Sequence, residues 1–439
     1  MNLVGKKVVV VGMALSGEAA VKLLLAHGAE VSAVDQKKTG DVLGVPIQPQ
    51  TDAAFAGAEL AVVSPGVPAD AEVLQHARRQ GTQVIGDVEL AGYFLEGDTI
   101  GITGSNGKTT TTALIGHILR ASGIPCQVGG NIGGTAPAAM VETSKAGQWN
   151  VMELSSFQLE TTDSFRARVG IALNVTDNHL DRHYTLSNYA AAKGKLFANQ
   201  QPGDFAILNA DNIYTVGFAR LTLATKLWFS GVKSVPEGAW VQDGHIVLNG
   251  DPLLPTIEIP LKGRHNYENV MAAALAAHLA GATLPAIADA VRSFPGVEHR
   301  LELVRALNGV DYYNDSKATS VDAAMKAIDA FPGRLWIILG GKDKNSDYTV
   351  LREPLRHKAK AALLIGAAAP KIAAQLSGAV PLIDAGTLDQ AVARASAEAQ
   401  PGDTVLLAPA CASFDQFQSF EHRGQVFKHL IAQLEPRSS

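Results

Sequence analysis

Short apolar runs alternate with helix-length amphipathic stretches along the whole chain, a pattern typical of parallel sheets whose strands are connected by helices. The first unit contains four apolar runs that predict strands, KKVVVVG, EVSAVD, LAVVS and QVIGD. A helix is predicted from about Glu18 to His27, where Gly28 supplies a stop signal, and a second helix is predicted to end near Gly81. Residues 1–93 are therefore expected to form a Rossmann-like domain.

The second unit begins at the strand TIGIT and contains three further predicted strands, WNVMELS, GIALNVT and FAILNAD, with a helix over residues 186–199. Residues 226–260 differ, because short β-like runs such as AWVQDGHIVLNG are separated there by glycine turns. Two alanine-rich helices between His265 and Phe294 close the unit, and the linker FPGVEHR follows them. The pattern predicts a central domain over residues 94–297.

The third unit alternates in the same way, with the apolar runs LWIILGG, AALLIGA, VPLID and TVLLAPA separated by helix-length stretches. Residues 298–439 are expected to form a third α/β domain, again of Rossmann-like type. No short repeat recurs along the chain, which argues against a solenoid.

Composition narrows the class of protein. Hydrophobic residues make up 47% of the 439 residues and charged residues 18%, which is enough for large cores. The net charge of -5 gives no electrostatic reason to expect nucleic acid or an anionic membrane as a partner. The two cysteines, Cys126 and Cys411, are far apart, and no signal peptide is visible. A soluble protein of the reducing cytoplasm, without a disulfide framework, is expected.

The stretch GITGSNGKTTTT, residues 101–112, lies between a predicted strand and a predicted helix. Free backbone N–H groups and the helix dipole favour anions at such a place, Lys108 adds a positive charge, and Thr109 adds a hydroxyl suited to Mg²⁺. The standard loop G-x-x-x-x-G-K-[ST] would need glycine at position 102, where this chain has Ile102. The alternative is a tight turn followed by an exposed lysine.

The predicted fold class is α/β with three domains. They are a Rossmann-like N-terminal domain, a central P-loop-type ATPase domain whose parallel sheet carries a small β portion, and a Rossmann-like C-terminal domain. In such folds ligands bind at the carboxyl ends of the strands, and several polar clusters fall there.

Two of these clusters belong to the central unit. Glu153 ends a buried strand, where an acid can hold Mg²⁺, although it could equally cap the next helix. His179 follows another strand in NVTDNHLDRHY; a lone histidine is more often structural, but its neighbourhood favours contact with metal or phosphate. By composition and spacing alone, Lys193 in YAAAKGKLF is a surface lysine.

The outer units carry weaker signals. Gly12 and Gly17 flank Ala14, so the dinucleotide fingerprint has lost its middle glycine, while Asp35 ends the second strand and suits a ribose hydroxyl. A nucleotide site or an unliganded scaffold would both explain this. In the third unit the residues Lys317, Lys344 and Ser413 could form a carboxylate-binding pocket or be solvated loop residues, and Cys411 is expected to be a buried inert thiol.

Taken together the motifs resemble the Mur ligase family of ATP-dependent amide-forming enzymes. TGSNGKTT resembles the phosphate loop of that family, and GGNIG, ELSSFQLE, NHLDRH, GRHN, NDSKAT and GGKDK follow in the family order. PACASFDQF and the N-terminal GMALSG and SPGVP resemble the members that add D-glutamate to UDP-N-acetylmuramoyl-L-alanine, a step of peptidoglycan precursor synthesis in the cytoplasm.

The resemblance implies a mechanism and a set of residues. ATP would phosphorylate the substrate carboxylate, and the amine of D-glutamate would attack the acyl phosphate. Catalytic roles are implied for Lys108, Glu153, His179 and Lys193. Two Mg²⁺ ions would be held by Thr109, Glu153, His179 and Lys193, the last as a carbamate. ATP would contact Gly104, Ser105, Asn106, Gly107, Lys108, Thr109, Thr110, Asn266, Arg300 and Asp315.

The substrates would be held by two further sets, in a protein that acts as a monomer. The UDP-substrate set is Leu15, Ser16, Asp35, Lys37, Ser64, Gly66 and Asn131. The D-glutamate set is Lys317, Thr319, Lys344, Ser413, Phe414 and Phe420. Three positions depart from the family pattern: Lys37 stands for an arginine, Asn178 for an acid, and Ser320 for an asparagine.

Two other functions remain open at this point. One is a sister ligase that extends a folate or adds a different amino acid to the same precursor. The other is a nucleotide-dependent regulator or a dinucleotide-binding oxidoreductase that forms no amide, which Gly12 and Asp35 would support.

Overall fold

A computed structural model describes residues 1–436, apart from the side chain of Asp181. The first sheet has six strands in the order β3-β4-β2-β1-β5-β6, parallel except for the β3–β4 pair. Its elements are β1 (Lys7–Val11), α1 (Leu15–Ala26), β2 (Glu30–Asp35), β3 (Asp41–Val42), β4 (Val45–Pro49), β5 (Leu60–Val63), α2 (Glu72–Arg79), β6 (Gln83–Gly86) and α3 (Asp87–Gly92).

The second sheet has nine strands in the order β15-β14-β13-β12-β11-β10-β7-β9-β8. The two pairings at its β15 edge, β13–β14 and β14–β15, are antiparallel. Its strands are β7 (Asp98–Thr103), β8 (Cys126–Gly130), β9 (Trp149–Glu153), β10 (Val169–Ala172), β11 (Phe205–Asn209), β12 (Thr225–Ser230), β13 (Gly238–Gln242), β14 (His245–Leu248) and β15 (Asp251–Pro255). Its helices are α4 (Lys108–Ala121), α5 (Pro137–Met140), α6 (Ser156–Leu159), α7 (Leu180–His183), α8 (Leu186–Ala198), α9 (Ile213–Phe218), α10 (His265–Leu279) and α11 (Leu284–Ser293).

The third sheet has six strands in the order β16-β17-β21-β18-β19-β20, parallel except for the β16–β17 pair. Its strands are β16 (Glu302–Leu307), β17 (Val310–Asn314), β18 (Leu335–Gly340), β19 (Ala359–Ile365), β20 (Leu382–Gly386) and β21 (Thr404–Leu407). Its helices are α12 (Val321–Asp329), α13 (Arg352–Lys358), α14 (Ala369–Leu376), α15 (Leu388–Glu398) and α16 (Phe420–Ala432).

The central strands of each sheet are apolar along their whole length because helices cover both faces. β5, β10 and β18 are buried at every position, as expected for parallel strands without a solvent face. Helix α10 is buried over most of its length, and its alanines allow it to pack closely against α4. The predicted three-domain α/β fold is confirmed.

The three sheets fall into two compact units of the chain. One contains Met1–Ile259 with His265–Phe294, so the first two sheets belong together, and the other contains Pro260–Arg264 with the chain from Pro295. The domain limits 1–93, 94–297 and 298–439 stay predictions. In the part of the chain that the structure describes, no helix is long and apolar enough to cross a membrane.

Several elements differ from the sequence-based expectation. Helix α1 begins at Leu15, three residues before the expected Glu18, because Ala14 is extended and the turn from β1 is short. The strands β3, β4, β8, β16 and β17 were not predicted. Three of these five, β3, β4 and β16, lie in antiparallel edge pairs and are partly exposed, so they lack the apolar run that marks a central strand. β17 is mostly buried, but polar Asp311 and Asn314 interrupt its short sequence VDYYN.

Candidate active site

The loop of residues 104–107 connects β7 to α4 and has the strand–loop–helix form that the sequence predicts. Gly107 is the N-cap of α4 with φ of 84°, a left-handed conformation. The hydroxyl-bearing residues that follow, Thr109 and Thr110, are buried in the first turn of the helix. A helix N-terminus with a glycine cap presents backbone N–H groups outward, which is the arrangement that binds phosphate.

Neighbouring segments hold the loop in shape. Ser105 donates its backbone N–H to Asn174 O at 2.9 Å, and the backbone N–H of Asn106 donates to Asn174 Oδ1 at 2.9 Å. The Ser105 hydroxyl donates to Thr176 O at 3.1 Å and accepts from the Thr176 N–H at 2.9 Å. The loop is therefore fixed against the segment after β10 before any ligand binds.

Helix α10 approaches the loop from the other side. Asn269 Oδ1 accepts the Thr111 hydroxyl at 3.3 Å, and Asn269 Nδ2 donates to Asn266 Oδ1 at 2.7 Å. A Cβ atom on Gly107 would lie 2.3 Å from Asn269 Oδ1. Asn269 therefore lies directly against Gly107, and its hydrogen bond to Asn266 links that predicted ATP-binding residue to the loop.

Replacing Gly107 with alanine is expected to lower the free energy of unfolding by about 1–2 kcal/mol from the left-handed φ alone, and further because Asn269 must move. Gly123→Ala is the matched control, since Gly123 also has a positive φ of 69° but its Cβ would meet no described atom within 4 Å. Urea unfolding of both variants measures the difference. Equal losses would show that the Asn269 contact is unimportant.

Two lysines converge on one carbonyl oxygen of the loop. Lys108 Nζ and Lys193 Nζ each lie 2.9 Å from Gly104 O and donate to it. Lys193 is only 1% exposed, and its ammonium lies 4.4 Å from the centre of the Tyr189 ring. The surface position that spacing alone suggests for Lys193 is therefore wrong: α8 turns this residue inward.

Burial has a chemical consequence for Lys193. It holds the pKa of the Lys193 amine well below that of an ordinary lysine, the nearby charge of Lys108 lowers this pKa further, and Glu153 opposes the shift. A lysine with a depressed pKa carries a fraction of neutral, nucleophilic amine near neutral pH.

Glu153 lies at the carboxyl end of β9 and is 2% exposed. Its Oε1 accepts a hydrogen bond from Asn131 Nδ2 at 3.0 Å, whereas no described residue gives Oε2 a hydrogen-bond partner. The alternative that Glu153 caps the next helix is wrong, because Ser155 caps α6 in a capping box with Gln158. A buried carboxylate oxygen without a protein donor is costly alone and suits a cation.

His179 is exposed and is the N-cap of α7, with φ of 54°. Its ring lies 4.9 Å from the Phe157 ring and 6.1 Å from the Tyr189 ring, measured between centroids. Tyr189 also lies beneath Lys193, so this aromatic ring connects His179 to the lysine pair. Over residues 1–436, with the Asp181 side chain left aside, no three His, Cys, Asp or Glu side chains cluster as a metal site.

The candidate UDP-substrate residues of the first sheet gather at the carboxyl ends of β1, β2 and β5. Asp35 accepts backbone N–H groups of Met13 at 2.7 Å and of Lys37 at 2.8 Å, which fixes both loops. Ser64 donates its hydroxyl to Gly12 O at 2.6 Å. Of the candidates at this edge, Leu15, Lys37 and Gly66 are exposed. The remaining candidate, Asn131, lies against Glu153 at the end of β9.

Asp87 is a residue that the sequence reading missed. It begins α3 beside Ser16 and Gln158, is 1% exposed, and its Oδ2 meets no hydrogen-bond partner among the residues described. Burial raises the pKa of this carboxyl to about 6, although hydrogen bonding by the Ser16 and Gln158 side chains lowers the pKa and opposes the shift. Its one signal in the sequence is that an acid ends the apolar run of QVIGD.

Arg182 was also missed, although it connects the first two sheets. Its Nη2 donates to Val67 O at 2.9 Å and to the Glu160 carboxylate at 2.7 Å. Tyr184 donates its hydroxyl to Asp70 Oδ2 at 2.9 Å. These contacts hold the loop after Gly66 against the segment that follows His179.

In the second compact unit, the candidate D-glutamate residues follow three adjacent parallel strands, β17, β21 and β18. Lys317 Nζ lies 5.6 Å from the centre of the Phe420 ring, and Ser413 is buried. Thr319 is partly buried, whereas Lys344 and Phe414 are exposed. The sheet order thus gathers side chains from residues 317 to 420 at one edge.

Arg300 and Asp315 are close together in this unit. Burial raises the pKa of Asp315 to about 6, while the charge of Arg300 works against the shift. Arg423, which the sequence reading missed, is fully buried and donates to Ser316 O at 2.8 Å and to Cys411 O at 3.2 Å. It joins the two loops that carry Lys317 and Ser413. Cys126 and Cys411 are free thiols, as expected.

Three family models match the chain. They are described as a Mur ligase MurD-like N-terminal domain at residues 6–86, a Mur ligase middle domain at 102–277 and a Mur ligase glutamate ligase domain at 299–411. A protein of Solibacter usitatus named UDP-N-acetylmuramoylalanine--D-glutamate ligase is 61% identical over 442 residues and covers 100% of both chains. One of Acidobacterium capsulatum with the same name is 51% identical, over 98% of this chain and 97% of its own.

Solved structures agree on the fold. The UDP-N-acetylmuramate-alanine ligase of Thermotoga maritima matches with a TM-score of 0.62 at 17% identity, over 97% of this chain and 99% of its own. The MurF ligase of the same organism, solved in complex with ADP, matches with a TM-score of 0.60 at 17% identity, over 98% of this chain and 96% of its own. The resemblance expected from the motifs is confirmed, and the chain belongs to the Mur ligase family.

Proposed function

We propose that this Mur ligase is an ATP-dependent enzyme that joins D-glutamate to UDP-N-acetylmuramoyl-L-alanine through an acyl phosphate, in peptidoglycan precursor synthesis. One observation carries the proposal: Lys108 and Lys193 meet at Gly104 O, in a loop of phosphate-binding form, with the buried acid Glu153 close enough to act on the pKa of Lys193. Full-length relatives that carry the name of this ligase support the choice of substrates.

ATP binds with its phosphates at the loop and the N-terminus of α4. The residues that we assign to ATP are Gly104, Ser105, Asn106, Gly107, Lys108, Thr109, Thr110, Asn266, Arg300 and Asp315. Lys108 neutralises charge on the γ-phosphate, because its ammonium is already held at the loop.

The residues present suit Mg²⁺. Glu153 has a buried oxygen that no described side chain or backbone N–H satisfies, and Thr109 has a hydroxyl at the phosphate loop. We assign one ion to Thr109 and Glu153 and a second to His179 and the carbamate of Lys193. When bound, Mg²⁺ screens the charge on the phosphate oxygens and on the attacking carboxylate.

The depressed pKa of the Lys193 amine supports its carbamoylation. The neutral amine attacks CO₂, a nitrogen–carbon bond forms, and one amine proton leaves, so that a buried cation becomes an anion. An anion at this depth is stable only with cations around it, and the ammonium of Lys108 is adjacent.

The reaction then proceeds in two steps. A carboxylate oxygen of the L-alanine residue attacks the γ-phosphorus, a new oxygen–phosphorus bond forms, and ADP leaves. The amine of D-glutamate attacks the acyl carbon, loses a proton, and inorganic phosphate leaves as the tetrahedral intermediate collapses. Since both steps bring anions together, charge neutralisation by Lys108 and by the groups around Lys193 supplies most of the catalysis.

The two substrates occupy different strand ends. The UDP-substrate is held by Leu15, Ser16, Asp35, Lys37, Ser64, Gly66 and Asn131. D-Glutamate is held by Lys317, Thr319, Lys344, Ser413, Phe414 and Phe420. We propose three domains, over residues 1–93, 94–297 and 298–439. We also propose that the protein is a monomer and acts in the cytoplasm.

A product assay tests the function. The chain is incubated with ATP, Mg²⁺, UDP-N-acetylmuramoyl-L-alanine and D-glutamate, and released phosphate and product mass are measured. One phosphate per amide and a product heavier by one glutamyl residue are expected. Parallel reactions contain L-glutamate, L-lysine, diaminopimelate or a folate acceptor. Turnover with one of these and none with D-glutamate would identify a sister ligase, and tight NAD binding without amide formation would favour a dinucleotide enzyme.

A further inference from the structure

The loop that carries Lys344 is anchored by the residue before it. Asp343 follows β18, and its Oδ2 accepts the Lys371 ammonium of α14 at 2.8 Å. Its Oδ1 accepts the Tyr348 hydroxyl at 2.8 Å and the Ser346 N–H at 3.1 Å. The hydrogen bond from Lys371 lowers the pKa of Asp343 to about 2, so the carboxylate stays charged under physiological conditions. Both oxygens are therefore permanent acceptors that fix the loop.

Tyr348 extends the anchor to a second loop. Its hydroxyl oxygen lies 3.0 Å from Cys411 Sγ, and both residues are buried. The hydroxyl has one proton, which goes to the charged Asp343 carboxylate, so the thiol must be the donor to the tyrosine oxygen. Burial raises the pKa of the Cys411 thiol and thereby keeps that proton in place. Cys411 lies two residues before Ser413 in the loop after β21.

A backbone contact supports the same junction. The Lys342 N–H donates to Ala412 O at 2.8 Å, so the two loops touch directly beside the side-chain contacts. The chain of contacts Lys371, Asp343, Tyr348 and Cys411 is called the Tyr348 network below. Its buried members Tyr348 and Cys411 connect the loops of Lys344 and Ser413, while Lys344 itself is exposed.

We propose that the Tyr348 network is a positioning device that sets the distance between Lys344 and Ser413 and so determines the affinity for the amino-acid substrate. The inference rests on the proposed function, in which both residues hold D-glutamate. An exposed lysine on a free loop would lose much conformational entropy on binding a carboxylate, and anchoring the loop beforehand removes part of that loss. The network acts by placing Lys344 and Ser413, the two residues assigned to the substrate.

Three substitutions test the network. Tyr348→Phe removes only the hydroxyl, Lys371→Met removes the ion pair from a partly exposed position, and Cys411→Ala removes the thiol donor. Each is expected to raise the KM for D-glutamate by about tenfold or more, with kcat and the KM values for ATP and the UDP-substrate near those of the wild type. Cys411→Ser, which keeps a donor of similar size, should restore a normal KM. Combining Tyr348→Phe with Lys371→Met should add little, since both break one network.

Lys358→Met is the control, because Lys358 on α13 pairs with Asp329 on α12 at 3.1 Å. Its hydrogen bonds in the described chain go to Ile328 and Asp329 and not to either loop, so the variant should leave every KM unchanged. An unchanged KM for D-glutamate in Tyr348→Phe and Lys371→Met would overturn the inference, as would equal changes in all three KM values with a lower melting temperature. The wild type is measured first with D-glutamate. If it forms no amide, the proposed function itself fails, and that result is distinct from an active wild type with unaffected variants.

Discussion

Replacing Lys193 with alanine is expected to lower turnover by at least about 10³-fold, and a small carboxylate such as formate should restore part of it. The reason is the buried position of the amine, 2.9 Å from Gly104 O and next to Lys108, where a carbamate would supply a negative charge that alanine cannot. Phosphate release measured with and without formate tests the prediction. Added bicarbonate should stimulate the wild type that has been depleted of CO₂ and should not stimulate the variant.

Lys108→Ala is the matched control, since Lys108 donates to the same carbonyl oxygen but is expected to act as a cation. Its activity should also fall, by at least about 10²-fold, and formate should not restore it, because a carboxylate cannot replace an ammonium. If formate restored both variants or neither, the assignment of opposite charges to the two lysines would be wrong. Full activity in Lys193→Ala would remove the carbamate from the mechanism.

Stability gives an independent measurement on Lys193. Because its pKa is lowered in the folded protein, the unfolded chain binds more protons between the folded and unfolded pKa values, and stability rises with pH across that interval. Below that pH interval Lys193 is charged in both states, and burying its charge lowers the free energy of unfolding by the full desolvation cost. Lys193→Met, which cannot be charged, should therefore unfold at a higher urea concentration than the wild type near neutral pH without CO₂, and should show a weaker pH dependence.

The phosphate loop and the strand-end acid could be predicted because each depends on residues adjacent in sequence. An apolar run such as TIGIT must be a buried strand, and the glycines that follow must form the turn to the helix. Glu153 comes directly after such a run, so its place at the sheet edge follows from the strand itself. The local pattern of apolar and polar residues was therefore sufficient to predict the positions of both in the fold.

Lys193 could not be located in this way. Its partner Gly104 is 89 residues away in sequence, and nothing in YAAAKGKLF indicates that this face of α8 meets the phosphate loop. The same holds for Arg182, whose carbonyl partner Val67 is 115 residues distant, and for Tyr348 and Cys411, which are 63 residues apart. Family resemblance placed Lys193 in the site, whereas Arg182 and Tyr348 required the tertiary contacts.

Glu153→Gln is expected to lower kcat/KM by at least about 10²-fold, because a neutral amide cannot neutralise a divalent cation at the phosphate loop. The amide oxygen can keep the contact with Asn131 that Oε1 makes at 3.0 Å, so the local geometry should survive. Thermal unfolding provides a second readout. The melting temperature of the wild type should rise when Mg²⁺ and ADP are added together, whereas that of Glu153→Gln should rise much less.

The metal-free proteins should show the opposite order. In the wild type, Glu153 buries a carboxylate oxygen that no group in the described chain satisfies, and the variant removes that charge from a residue only 2% exposed. Without ligands, Glu153→Gln should therefore melt no lower than the wild type, so that activity is lost without a loss of stability. Glu142→Gln, which changes an exposed pair with Lys22, is the control and should alter neither quantity. A Glu153→Gln variant that is inactive and also much less stable would show that the acid supports the fold rather than the cation.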